Sequence, residues 1–138
     1  MQLSLRRLQT IWITLLGSVV LYFVVCLFSP AHSGGSPQML WVLVLSSAVI
    51  AGTVFILRGK VLTPAATLAA TQPDDAKALS LWRSAHIVIW ALCEVVAMYG
   101  LVLHYLGFRI FQTTPFFAGA FLLILLFAPQ RPKSANAV

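Results

Sequence analysis

Glu94 is the residue best placed to do chemistry in this chain. It lies near the middle of Ala85–Leu106, AHIVIWALCEVVAMYGLVLHYL, a stretch almost wholly apolar. At about 1.5 Å per helical residue, such a stretch is about as long as the roughly 30 Å hydrocarbon layer of a bilayer. A carboxylate at that depth costs roughly 2.5–3.5 kcal/mol on insertion scales. No Lys or Arg lies inside any apolar run to pair with it. Low-dielectric surroundings favour the neutral acid. Glu94 is therefore expected to be protonated where it faces lipid, and ionised where water or a partner subunit's cation reaches it. That is the behaviour of a reversible proton-binding group. The competing reading is a protonated Glu94 that bonds a backbone carbonyl, Ser46 or Ser47 and only stabilises packing.

Placed at 100° per residue, Cys93, Ala97, Gly100 and His104 form one stripe at i, i+4, i+7 and i+11. Three of the four are small, the pattern by which membrane helices approach closely. The stripe extends back to Ile89 and His86, and Glu94 sits beside it. His86 and His104 share a face about five turns apart, one near each end of the span. His32 lies in an earlier connector. His104, His86 and His32 are the candidate ligands for a haem or pigment, against the commoner role of interfacial hydrogen bonding. Tyr99 and Tyr105 read as packing or interface residues whose one route to the acid is through water, and Cys26 and Cys93 as packing residues within spans. No nucleotide-binding loop, zinc-ligand spacing or nucleophile triad is present. Catalysis by this chain alone is not expected, and neither is a metal site.

The elements that must position Glu94 follow from composition. The chain is 60% hydrophobic and only 9% charged, against about a quarter charged in a soluble domain. A chain of this size could not hide so much apolar surface from water, so the bilayer is its solvent. One membrane domain is expected, all-α and polytopic, with four transmembrane helices arranged as two hairpins. The spans read as about 8–28, 39–57, 85–106 and 111–128. Arg6 and Arg7 ahead of the first run resemble the start of a signal peptide. The run is long for a signal core, and no small-x-small cleavage pattern follows it, so an uncleaved helix is expected. The connector SPAHSGGSP, Ser29 to Pro37, is rich in turn formers.

Residues 58–84 read as the one long polar loop, on the cytoplasmic side. Two helix starts are visible inside it, Thr63-Pro64 and Gln72-Pro73, the second followed by Asp74 and Asp75 in a first turn. The third helix is expected to begin near Pro73 and project beyond the membrane, with Trp82 and Arg83 at the lipid headgroups. The polar tail PQRPKSANAV is expected to be disordered. Of the nine basic residues only Arg109 falls on the far side of this four-span arrangement. The positive-inside rule then puts both termini in the cytoplasm, in a cell's inner membrane. The net charge of +6 is spread over the ends of apolar runs and forms no patch, which argues against nucleic acid.

Residues 91–102, ALCEVVAMYGLV, resemble the carboxylate-bearing helix of the rotary ATPase proteolipids, the ring-forming c subunits. Those helices carry a glutamate followed, five residues on, by Tyr-Gly-Leu-Val. Here Glu94 is followed by Tyr99, Gly100, Leu101 and Val102 at that spacing. The resemblance implies an ion- or proton-binding role for Glu94 and a helix that leaves a cytoplasmic loop and runs outward. The chain departs from the family in four ways, one being that Trp90, His86 and His104 are bulky for an inner-ring surface. Its second span has Gly52 as its only glycine, its polar loop is long, and its acid lies in the third of four helices. The reading is a small subunit of a larger energy-transducing membrane complex, partnered by other membrane subunits and lipid, with Glu94 binding a proton. The alternative is an accessory structural subunit of a respiratory or photosynthetic complex, touching haem, pigment or lipid.

Overall fold

The computed structural model describes residues 2–30, 34–72 and 75–129. All secondary structure among them is helical. Helix α1 runs Gln2–Phe28, so the polar turn around Arg6 and Arg7 belongs to the same rod as the apolar run. The Ser29 N–H still bonds the Val25 carbonyl at 2.9 Å, and Pro30 then ends the helix. Helix α2, Pro37–Leu57, opens with proline at its first position, where a missing N–H costs nothing.

The expected loop at 58–84 is largely helical. A π-helical turn, Arg58–Leu62, leads straight into α3, Thr63–Thr71, and the rod is unbroken over the 35 residues Pro37–Thr71. Pro64 explains the turn. Its ring and missing N–H disrupt an α-helical ladder, and the wider π turn ahead of it absorbs the defect. The N–H and hydroxyl of Thr63 both donate to the Arg58 carbonyl, the hydroxyl at 2.9 Å. Thr63 thus bridges a continuing helix where the sequence suggested a fresh cap. The rod stops at Gln72, just before proline.

Pro73 and Asp74 lie outside the described residues, as does the tail beyond Pro129 with Arg131 and Lys133. Helix α4 covers Ala76–Tyr105, and Asp75 is its N-cap, accepting from the Lys77 N–H at 2.9 Å. The start is a few residues later than expected because Asp75 caps the helix from just outside. Helix α4 therefore extends ahead of the apolar run, and Trp82 on that extension is covered by protein. It is 1% exposed, because α3 packs along the projection and brings Ala65 and Ala69 into the same core.

Helix α4 ends at a Schellman turn. The Phe108 N–H reaches the Leu103 carbonyl at 3.1 Å, and the Gly107 N–H reaches that of His104 at 3.0 Å. Gly107 has φ +96°, a left-handed conformation that favours glycine. Helix α5, Ile110–Leu126, begins where Gln112 Oε1 accepts from the Arg109 N–H at 3.1 Å.

Helix α4 is the axis of the bundle, with twelve buried residues against one in α2, Val54. α5 lies along it most closely, and α1 packs on both α4 and α5. α1 and α4 run in one direction, α2 and α5 in the other. The chain keeps the connectivity of two hairpins, but α1 and α2 do not pack along each other. They flank α4 on separate sides. α1, the Pro37–Thr71 rod and α4 are each long and apolar enough to cross a membrane, the mark of a membrane-embedded protein. α5, with 17 residues, is about 25 Å long, short of a hydrocarbon layer. Its last carbonyls are capped by the other helices. The Trp12 indole N–H donates to the Ile124 carbonyl and that of Trp90 to the Phe127 carbonyl, both at 2.9 Å. The Phe127 ring also meets Phe55 edge-on and lies 5.3 Å from the Arg58 guanidinium carbon.

Candidate functional site

Glu94 sits at the contact of α4 with α1 and is half-buried. Its Oε1 accepts from the Ser18 hydroxyl at 2.8 Å and from the Tyr22 hydroxyl at 3.0 Å. Ser18 and Tyr22 are one turn apart on α1, so one face of that helix presents two hydroxyls to one carboxyl oxygen. Among the described residues these are the side-chain partners of Glu94, and both are neutral. Hydroxyl donors stabilise a carboxylate and also tolerate a carboxylic acid, because a hydroxyl can turn and accept. The site can therefore hold Glu94 in either protonation state without a countercharge.

The acid's partners differ from those the sequence suggested. Ser46 and Ser47 lie on α2, across α4, and the Ser47 hydroxyl has no hydrogen-bond partner. Tyr99 and Tyr105 form no bond to Glu94, and Tyr105 is exposed. The partners come from α1, which sequence reasoning treated only as a span. A signal existed there. Thr14, Ser18 and Tyr22 repeat every four residues through an otherwise apolar run, which puts a polar stripe on one face of the helix. What the stripe could not reveal is which other helix it meets.

The small-residue stripe is real and faces inward. Cys93 and Ala97 have no exposed surface, and Gly100 is buried. A Cβ on Gly100 would lie 3.0 Å from Phe116 Cβ and 3.1 Å from the Phe117 ring, so this glycine sets the closest approach of α4 and α5. The seam is used inside this chain. Both cysteines are free and buried.

The two described histidines share the bundle-facing side of α4, and both are buried. His104 Nε2 lies 3.0 Å from the Ser29 carbonyl and must donate to it, and Nδ1 is buried with no partner among the described residues. This bond ties the end of α1 to the end of α4. A haem or pigment bound through Nε2 would have to break it. His86 Nδ1 lies 3.1 Å from the Trp82 carbonyl one turn back, and its ring is held edge-on between Trp82 and Trp90 at 4.9 and 5.3 Å. His32 lies outside the described residues. Two open grooves, of about 290 Å³ beside α2, α4 and α5 and about 270 Å³ between α1 and α5, have apolar linings that include no histidine. The described residues hold no cluster of three His, Cys, Asp or Glu that could bind a metal.

The arrangement thus reduces to one titratable carboxyl held by two hydroxyls between two membrane-length helices. No protein family, curated protein or solved structure matches the chain, and the functional reading rests on that arrangement.

Proposed function

We propose that this chain is a small multi-pass subunit of a larger energy-transducing membrane complex, in which Glu94 takes up and releases a proton. The observation that carries the reading is the pair of hydroxyls, Ser18 and Tyr22, converging on Glu94 Oε1 with no cation bonded to it among the described residues. Intramembrane acids are costly and are functional by default. A buried acid with a salt-bridge partner would stay ionised, whereas one held by hydroxyls can exchange its proton. The spacing of Glu94 with Tyr99–Val102, similar to the proteolipid carboxylate helix, points the same way. The positions of Arg6, Arg7, Arg58, Lys60, Lys77 and Arg83 support termini in the cytoplasm of a cell with this protein in its inner membrane. Partners are then other membrane subunits and lipid, because proton binding by one acid does no work without a coupled component.

The test uses a hydrophobic carbodiimide, which attacks protonated carboxyls, on intact membranes. Glu94 is expected to be labelled, Glu94→Gln to abolish labelling and proton-coupled turnover, and the complex to assemble normally. Absence of labelling at Glu94 would refute the proposal. A second reading, an accessory structural subunit, draws on the same two hydrogen bonds as a tether between α1 and α4. On that reading Glu94→Gln keeps turnover normal, while bulky residues at Ala97 or Gly100 prevent assembly.

A further inference from the structure

This inference rests on the proton-binding reading of Glu94 and concerns what senses the proton. Two short oxygen contacts meet at Ser18. Its hydroxyl lies 2.8 Å from the Leu15 carbonyl of its own helix and 2.8 Å from Glu94 Oε1. The Tyr22 hydroxyl is 3.0 Å from that same Oε1. Ser18 has one hydrogen, and the carbonyl can only accept. If Glu94 is ionised, Ser18 can satisfy either the carboxylate or the carbonyl. The other contact then holds at most a share of that one hydrogen. If Glu94 carries its proton on Oε1, every contact is a hydrogen bond. Tyr22 donates to Oε1, Oε1–H donates to Ser18 Oγ, and Ser18 donates to Leu15.

We infer that Ser18 is a positioning residue that couples the proton on Glu94 to the backbone of α1, and that the arrangement described is the proton-loaded one. On release, the Oε1–H bond breaks, its electron pair stays on the carboxylate, and the proton passes to a basic acceptor, water or a group of a partner subunit, brought to the α1–α4 seam. The Ser18 O–H then rotates from Leu15 to Oε1, with no other covalent bond changed. The Leu15 carbonyl loses its side-chain donor, keeps only its helical one, and moves away from Ser18. Occupancy of the acid is thereby written into the geometry of α1. The other titratable groups of the bundle are Arg6, Arg7, Tyr22 and Cys26 on α1, Lys77, Arg83, Cys93, Tyr99, Tyr105 and the two inward histidines on α4, Arg58 and Lys60 on the π turn, and Asp75 and Arg109 at helix starts. α2 and α5 carry none. Of these groups Glu94 is the one that Ser18 links to Leu15, and Tyr22 is the one titratable group hydrogen-bonded to Glu94.

The experiment is isotope-edited infrared spectroscopy of the full chain in lipid bilayers. Carbonyl-¹³C leucine is incorporated, and the Leu15 band is isolated by subtracting the spectrum of Leu15→Ile. As pH rises, the protonated-carboxyl band assigned by its absence in Glu94→Gln should vanish. The Leu15 amide band should move to higher frequency with the same midpoint. Ser18→Ala should abolish the Leu15 shift while the carboxyl still titrates, and Ser18→Thr, which keeps a hydroxyl, should restore it. A carboxyl that titrates while wild-type Leu15 stays still overturns this inference and leaves the proton-binding reading standing. A carboxyl band absent or constant over the pH range in which the fold survives overturns both.

Discussion

The hydrogen bond from Tyr22 to Glu94 can be weighed directly. The perturbation is a cycle of Tyr22→Phe, Glu94→Met and the double variant. Phenylalanine keeps the ring and removes only the hydroxyl that lies 3.0 Å from Oε1. Methionine approximates the volume of Glu94 and offers Tyr22 no carboxyl. Hydrogen bonds between membrane helices average about 0.6 kcal/mol and reach about 1.7. Bonds to an ionised acceptor are roughly twice as strong as neutral ones. The expected coupling is then about 0.6 kcal/mol with Glu94 protonated and about 1.2–1.7 kcal/mol with it ionised. The assay is unfolding in mixed micelles by added SDS, followed by far-UV circular dichroism, at one acidic and one alkaline pH at which the fold survives. The sign follows from the chemistry. Coupling grows as pH rises because the acceptor gains charge, even if the whole protein becomes less stable as it does so. Independent sites add to within about 0.3–0.5 kcal/mol. Coupling inside that scatter at both pH values would refute the bond as a working contact, and coupling equal at both would refute titration of its acceptor.

Four further outcomes are expected. Trp90→Phe removes the donor to the Phe127 carbonyl and leaves a gap at a position with no exposed surface, so it should cost about 1–3 kcal/mol in the same assay. Trp41→Phe, at a residue 64% exposed, should change stability by no more than about 0.5 kcal/mol. Gly100→Ala places a Cβ 3.0 Å from Phe116 and should cost about 1–3 kcal/mol, seen as a lower thermal midpoint in detergent. Asp75→Ala should lose about 0.5–2 kcal/mol of α4 capping, with Asp75→Asn close to wild type, read by amide hydrogen exchange at Lys77 and its neighbours.

The sequence by itself determined the solvent and the secondary structure. Apolar runs of membrane length, separated by Ser29-Pro30, Gln72-Pro73 and Gly107, can only be helices in a bilayer, because lipid satisfies no backbone group. The acid at Glu94 and the inward stripe of Cys93, Ala97 and Gly100 were legible for the same reason, since both follow from composition and a 3.6-residue period. Local rules failed where neighbours in space intervened. Thr63-Pro64 reads as a helix start, yet a π turn carries the preceding helix through it. Trp82 reads as an interfacial anchor, yet α3 packs on α4 beside it and buries it.

Tertiary structure alone decided the partners of the acid. Periodicity gives each helix its faces, but it holds no information about which face of another helix lies opposite. Four rods can be arranged with α1 beside α4 or apart from it at similar burial of apolar surface. Only the packing that places α1 against α4 and α5 brings Ser18 and Tyr22 to Glu94, and Trp12 and Trp90 to the carbonyls at the end of α5. The physical reason is that apolar contact in a membrane is non-specific, so long-range hydrogen bonds between sparse polar groups select the arrangement.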